Sequence, residues 1–155
     1  MQFFNLSAIS KKKLILRMQI PSKNVQDLRT YSTWMGEDGI ARTVVKEGAE
    51  IVLEDAKANS IAVCSLAGPE KFALIVDTRK IKSITKEARD YFSLNGRESR
   101  VVAFAIVIES PLSVIIGNFF MGLNKPRVPV KLFNSESKAI AWCHKLTSIL
   151  VQDEK

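Results

Sequence analysis

The stretch Val101-Val102-Ala103-Phe104-Ala105-Ile106-Val107-Ile108 carries no polar side chain, and Glu109-Ser110-Pro111 follows it at once. A run this short cannot span a membrane, which takes roughly 20 apolar residues. Bounded by turn residues, it reads as a strand covered on both faces, the mark of a parallel sheet flanked by helices. Ser110-Pro111 then opens a helix, because serine accepts from free amides at a helix start and proline fits the first helical position. Strand, turn and helix start in direct succession set the fold class as α/β.

Upstream, Phe72 to Val76 repeats the pattern and ends in Asp77. Between the two runs Thr85 to Leu94 has helical spacing, with Ala88, Tyr91 and Phe92 on one side and Asn95-Gly96 at its close. Downstream, the helix from Pro111 runs to about Leu123, and Asn124-Lys125-Pro126 breaks it. Val128 to Phe133 is a last strand, with Pro129 near its beginning as an edge strand allows. Asn134-Ser135 caps a final helix whose inner face is Ala139, Trp142, Cys143, Leu146 and Leu150. Ahead of Phe72, the runs Thr30 to Met35 and Ile40 to Lys46 flank Gly36-Glu37-Asp38-Gly39 and make a hairpin. Leu53, Ala56, Ser60, Val63, Cys64 and Ala67 then mark the inner face of a helix. Glu54, Asp55, Lys57 and Asn59 take its polar side, and Gly68-Pro69 stops it. The expected architecture is one α/β domain over residues 28–151, with a mixed, mostly parallel five-stranded sheet and helical crossovers. A basic arm over residues 1–27 precedes it and a tail over residues 152–155 follows.

The 155 residues are 46% hydrophobic and 25% charged, which excludes a disordered polyelectrolyte and leaves enough chain for a sizeable core. Of 23 basic residues, Lys11, Lys12, Lys13, Arg17 and Lys23 lie before residue 26 with no acid among them. The rest of the chain is nearly balanced, so the net charge of +7 is no argument for nucleic acid. The order of the arm, uncharged first and basic afterwards, is the reverse of a secretory signal. It reads as a disordered tail, as an extension upstream of a start at Met18, or as a basic arm touching an anionic membrane surface. Cys64 and Cys143 are far apart and fall in helices, and with His144 as the one histidine they make no zinc site. No metal or cofactor is expected, and the thiols suit a reducing cytoplasm.

In open α/β sheets ligands sit outside the carboxyl ends of the strands. Asp77, Thr78, Glu109 and Ser110 fall there and form a candidate strand-end ligand site. Asp77 and Glu109 can be read as paired carboxylates for acid–base work, or Asp77 as an acceptor for loop amides or a nearby arginine. Arg79, Lys80, Lys82 and Lys86 lie in a loop without acids that runs into a helix start, an arrangement that attracts anions. Between Ser110 and Lys125 there is no charge. Leu112, Ile115, Ile116, Phe119 and Leu123 form one stripe of that helix, and Val114, Gly117 and Met121 form a second apolar row, a candidate self-association face.

The order of elements resembles the STAS-like (SpoIIAA-like) domains of anti-sigma-factor antagonists and sulphate transporters, which share a fold with lipid-transfer proteins. Asp38-Gly39-Ile40, Leu53-Glu54-Asp55-Ala56, Val76-Asp77-Thr78-Arg79 and Lys86-Glu87-Ala88-Arg89 resemble small uncharacterised bacterial proteins of this superfamily. So does Ser110-Pro111-Leu112 followed by Gly117-Asn118-Phe119-Phe120. The anti-sigma antagonists carry an Asp-Ser-Ser-like signature, with a phosphorylated serine, where this chain has Thr85-Lys86-Glu87. The resemblance therefore implies the fold and not that phosphoserine switch, for which only Ser83 and Thr85 remain as hydroxyls. The expected function is a non-enzymatic cytoplasmic interaction or regulatory module, a homodimer with no nucleic-acid partner and no transmembrane segment. A small carrier for an apolar ligand or lipid is the alternative, and an enzyme using Asp77 the third.

Overall fold

The chain enters the fold earlier than its polarity suggests. In the computed structural model, which describes residues 18–95, 100–121 and 128–153, Met18 is buried in the core. Val25–Asp27 (β1) pairs antiparallel with Tyr31–Met35 (β2) along one sheet edge. The arm expected through residue 27 is thus partly folded, and residues 1–17 lie outside the described residues. Ala41–Val45 (β3) completes the expected hairpin, with Met35 opposite Ala41. Glu50–Ile51 (β4) and the helix Leu53–Ala67 (α1) come next. Phe72–Asp77 (β5), Ser83–Ile84 (β6) and Lys86–Asn95 (α2) follow. The chain closes with Val101–Val107 (β7), Pro111–Met121 (α3), Val130–Phe133 (β8) and Glu136–Asp153 (α4).

The main sheet has six strands where five were expected, in the order β1-β2-β3-β5-β7-β8, with β1 as the addition. Its pairings from β3 to β8 are parallel, and the two at the hairpin end are antiparallel. A second, two-stranded parallel sheet joins β4 to β6.

Alternation along each strand assigns the layers. On β7, Ala103, Ala105 and Val107 face a cluster with Ala139 and Cys143 of α4. Phe104, Ile106 and Ile108 face the cluster that holds Ala56 of α1, Ala88 of α2 and Ile116 of α3. Of the described helices, three therefore pack on one face and α4 on the other. Ala73, Ala103, Ala105 and Ala139 are fully buried. Side chains that small let a helix settle close to the sheet at high packing density.

Helix α1 departs from its apolar pattern. Asp55 and Asn59, expected on the polar side, are buried beside Ala56, Ala62 and Val63. Burial alone would raise the Asp55 pKa, but the Arg29 guanidinium and the Val52 amide outweigh it and hold the carboxyl below its ordinary 3.8. Arg29 Nε donates to Asp55 Oδ1 at 2.9 Å, and the Val52 N–H donates to Oδ2 at 2.9 Å, closing the start of the helix. Asn59 stands above the Thr33–Thr43 hydroxyl pair, which spans β2 and β3 at 2.8 Å.

A lowered carboxylate pKa contributes stability that is present above the unfolded value and lost as pH falls through the folded one. For Asp55 that window lies below 3.8. Urea unfolding between about pH 2 and pH 7 should therefore show stability dropping at the acid end, with a shallower drop in Asp55→Asn. An unchanged acid slope in that variant would show that the Arg29–Asp55 contact is not maintained in solution.

Candidate functional site

The site forms where two parallel strands part. Val44 stands opposite Asp77 and Glu50 opposite Ser83, the same offset of 33 residues, so β4 and β6 resume the pairing that β3 and β5 leave off. Residues 45–49 and 78–82 bow apart in between. The left-handed φ of 71° at Gly48 makes the turn on the β3 side. The Gly48 N–H then donates to Lys80 O across the gap at 3.0 Å, and the Lys82 and Ser83 amides donate to Ala49 O at 2.9 and 3.2 Å. Both loops are pinned at each end and bridged in the middle.

A groove of about 370 Å³ opens here. Met18, Ile20 and Val44 form an apolar wall, while Lys46, Arg79 and Lys80 stand with Glu47, Asp77 and Glu109 around the rest. Asp77 is buried and accepts from the Arg79 N–H at 3.0 Å, from Nε at 2.9 Å and from Nη2 at 2.6 Å. That bonding raises the guanidinium pKa and keeps the charge fixed. Lys46 Nζ lies 2.7 Å from Asp27 Oδ1. Among the described residues, Lys80, Glu47 and Glu109 form no ion pair.

Of the four strand-end candidates only Asp77 and Glu109 reach the groove. Thr78 alternates to the other face, donates to Val107 O at 2.9 Å, and lines an apolar cavity there. Ser110 caps α3, accepting from the Ser113 N–H at 3.1 Å, and buried Ser113 accepts from the amides of Glu109 and Ser110 at 3.0 Å each. The groove's other walls, Met18, Ile20, Lys46 and Glu47, were not among the sequence candidates.

The expected anion loop does not converge. Arg79 is taken by Asp77, Lys82 by Glu50 at 3.1 Å and Lys86 by Asp90 at 2.6 Å, which leaves Lys80 unpaired among the described residues. Thr85 Oγ1 accepts from the Ala88 N–H at 3.2 Å and acts as a helix cap, while Ser83 is exposed in β6.

Beside the groove a chain of polar contacts, with Asp38, Arg42 and Glu136 as its charges, runs over the face covered by α4. His144 Nε2 lies 3.5 Å from Asp38 Oδ2, Arg42 donates to both Asp38 oxygens at 2.8 Å, and Arg42 Nε lies 3.8 Å from Glu136 Oε1. Burial pushes the Glu136 carboxyl above its ordinary value despite Arg42 and Arg79. Burial also pushes the Cys143 thiol up to about 11, so it behaves as a packed apolar group. Among the described residues no group of three or more His, Cys, Asp or Glu side chains is placed to hold a metal ion.

Helix α3 is turned relative to expectation. Gly117 is buried, and a Cβ there would lie 2.7 Å from Leu132 Cδ2, so this position faces β8 and not the outside. Ile115, expected in the core stripe, is 65% exposed, and Val114 beside it is 37% exposed. The side chains of Phe119, Phe120 and Met121 lie outside the described residues, as does Leu123. Under α3 an apolar cavity of about 70 Å³ is lined by Phe104, Ile106 and Ile116. None of the described helices is long and apolar enough to cross a membrane.

The fold is similar to that of an uncharacterized protein of the DUF3478 family, with a SpoIIAA-like fold, from Shewanella loihica PV-4. The two share 13% identity at a TM-score of 0.53, over 82% of this chain and 99% of that one. That likeness shows a SpoIIAA-like fold, as the sequence resemblance implies. A protein of unknown function from Arthrobacter sp. FB24 is 29% identical over 72% of this chain and 90% of its own, at a TM-score of 0.29. No curated protein sequence matches the chain. Residues 33–147, most of the chain, match the family described as a domain of unknown function, DUF7793, and the protein belongs to that family.

Proposed function

We propose that the protein is a non-enzymatic, cytoplasmic interaction module that works as a homodimer, with α3 of each copy at the two-fold axis. The observation that carries this reading is the outward pair Val114 and Ile115 on a helix without charge. A symmetric contact sets a residue near its own copy, so any charge at the axis meets its like. The helix Pro111–Met121 carries no charge in a chain whose net charge is +7, so two such copies can approach there without repulsion. The expected result is a wild-type dimer by analytical ultracentrifugation and a folded monomer for Ile115→Lys. Gly117→Lys is the wrong variant for this purpose, because it would strike Leu132 inside the fold. A monomeric wild type would remove the reading.

The binding assignment over catalysis rests on Asp77. Its carboxylate accepts three hydrogen bonds from Arg79, a geometry suited to bracing a loop and poorly suited to accepting a substrate proton. The carrier reading draws support from the apolar cavity beneath α3. About 70 Å³ is well below the roughly 300 Å³ at which small-molecule sites begin, so an acyl chain would require α3 to move. Native mass spectrometry of protein made in cells should accordingly show no added mass of the size of a lipid or fatty acid on the polypeptide or its dimer. An added apolar mass would favour the carrier.

A further inference from the structure

We infer that the groove where β3 and β5 part binds a small zwitterion with an apolar side chain, of the class of free α-amino acids. The inference is independent of α3 and of the dimer. Position is the first support: the groove lies at the carboxyl ends of parallel strands β3, β5 and β7, where open sheets receive ligands. At about 370 Å³ it falls within the roughly 300–1,000 Å³ of small-molecule sites. Its rims are already tied by the Gly48–Lys80, Lys82–Ala49 and Ser83–Ala49 backbone bonds. A ligand entering it need not order two loops, and that ordering is one of the main costs of binding.

Charge selects the class. The lining holds three cations, Lys46, Arg79 and Lys80, against three anions, Glu47, Asp77 and Glu109. A simple anion would be repelled by the carboxylates and a simple cation by the ammonium and guanidinium groups, so a ligand that carries both signs suits the groove. Asp77 and Lys46 are already engaged within the fold, through Arg79 and Asp27. Among the described residues, the groups left to a ligand are the ammonium of Lys80 on one sign and the carboxylates of Glu47 and Glu109 on the other. A carboxylate and an ammonium on one small molecule answer both. Met18, Ile20 and Val44 then supply a wall for an apolar substituent, and Ile20, 48% exposed, has side-chain surface still to be covered.

Isothermal titration of the full chain with L-leucine, L-methionine and L-phenylalanine tests this. At least one is expected to bind. Its amide, which lacks the carboxylate, its deaminated acid, which lacks the ammonium, and glycine, which lacks the apolar group, should each bind at least about tenfold more weakly, the equivalent of roughly 1.4 kcal/mol. Lys80→Gln and Glu109→Gln should each weaken the amino acid by a similar factor while melting as wild type does, since neither side chain forms an ion pair among the described residues. No binding by any of the three amino acids overturns the inference. A deaminated acid that binds as tightly as its parent overturns it in favour of an anionic amphiphile. Wild-type affinity in both variants places the binding elsewhere and overturns it too.

Discussion

Arg42→Met is expected to lower the unfolding free energy by about 2–3 kcal/mol, somewhat below the roughly 3–5 kcal/mol of a fully buried pair. Arg42 is 8% exposed and holds both Asp38 oxygens, while its Nε faces Glu136. Removing it leaves two carboxylates near one another without their shared cation. The Asp38 side chain is 27% exposed and can recruit water, which lowers the cost. Glu136 cannot do so as readily, and burial already disfavours its charge. Adding Glu136→Gln to Arg42→Met should therefore recover at least about 1 kcal/mol in urea unfolding, a coupling that a double-mutant cycle reads directly. Strict additivity of the two substitutions would mean that the charges do not act as a connected chain.

Met18→Ala should cost about 2–5 kcal/mol, the range for truncating a buried methionine. Met18 sits in the same core cluster as Trp34, Ile40 and Phe133, on the face that packs against α4. Among the described residues, the entering chain at Met18 adds apolar cover to that face beside α4. A loss under about 0.5 kcal/mol, the size of a neutral surface change, would show that Met18 does not pack there. Removing residues 1–17 is a different experiment, for which the basic composition predicts a melting temperature within a few degrees of wild type.

Much of the fold was legible because long elements announce themselves. The apolar run of β7 and the Ser110-Pro111 start of α3 needed no tertiary information, and the hairpin followed from its turn residues. What escaped were β1, β4 and β6, which are only two or three residues long and too short for any period. Asp55 and Asn59 misled for another reason: their polarity is answered by Arg29, the Val52 amide and Thr43, partners 3 to 26 positions away that no local pattern reveals. The facing of α3 was ambiguous because a helix apolar all round does not mark its inner side, and Leu132 across the sheet decides it. At the site, strand ends located Asp77 and Glu109, but adjacent residues point to opposite faces and Thr78 was lost to that alternation. Met18 and Ile20 arrive from sequence-distant chain and could not have been found locally.

The matched offset of the two parallel pairings also has a kinetic consequence. Loops ordinarily open first, through small local fluctuations that leave the sheet intact. Here the loops at residues 45–49 and 78–82 are enclosed between two ladders in one register, so neither can swing away unless β4–β6 separates as well. The amides of Gly48, Lys82 and Thr85, bonded to Lys80, Ala49 and Ile51, should then exchange with solvent deuterium on the timescale of that larger opening. The rim of the groove would belong to the slow part of the molecule.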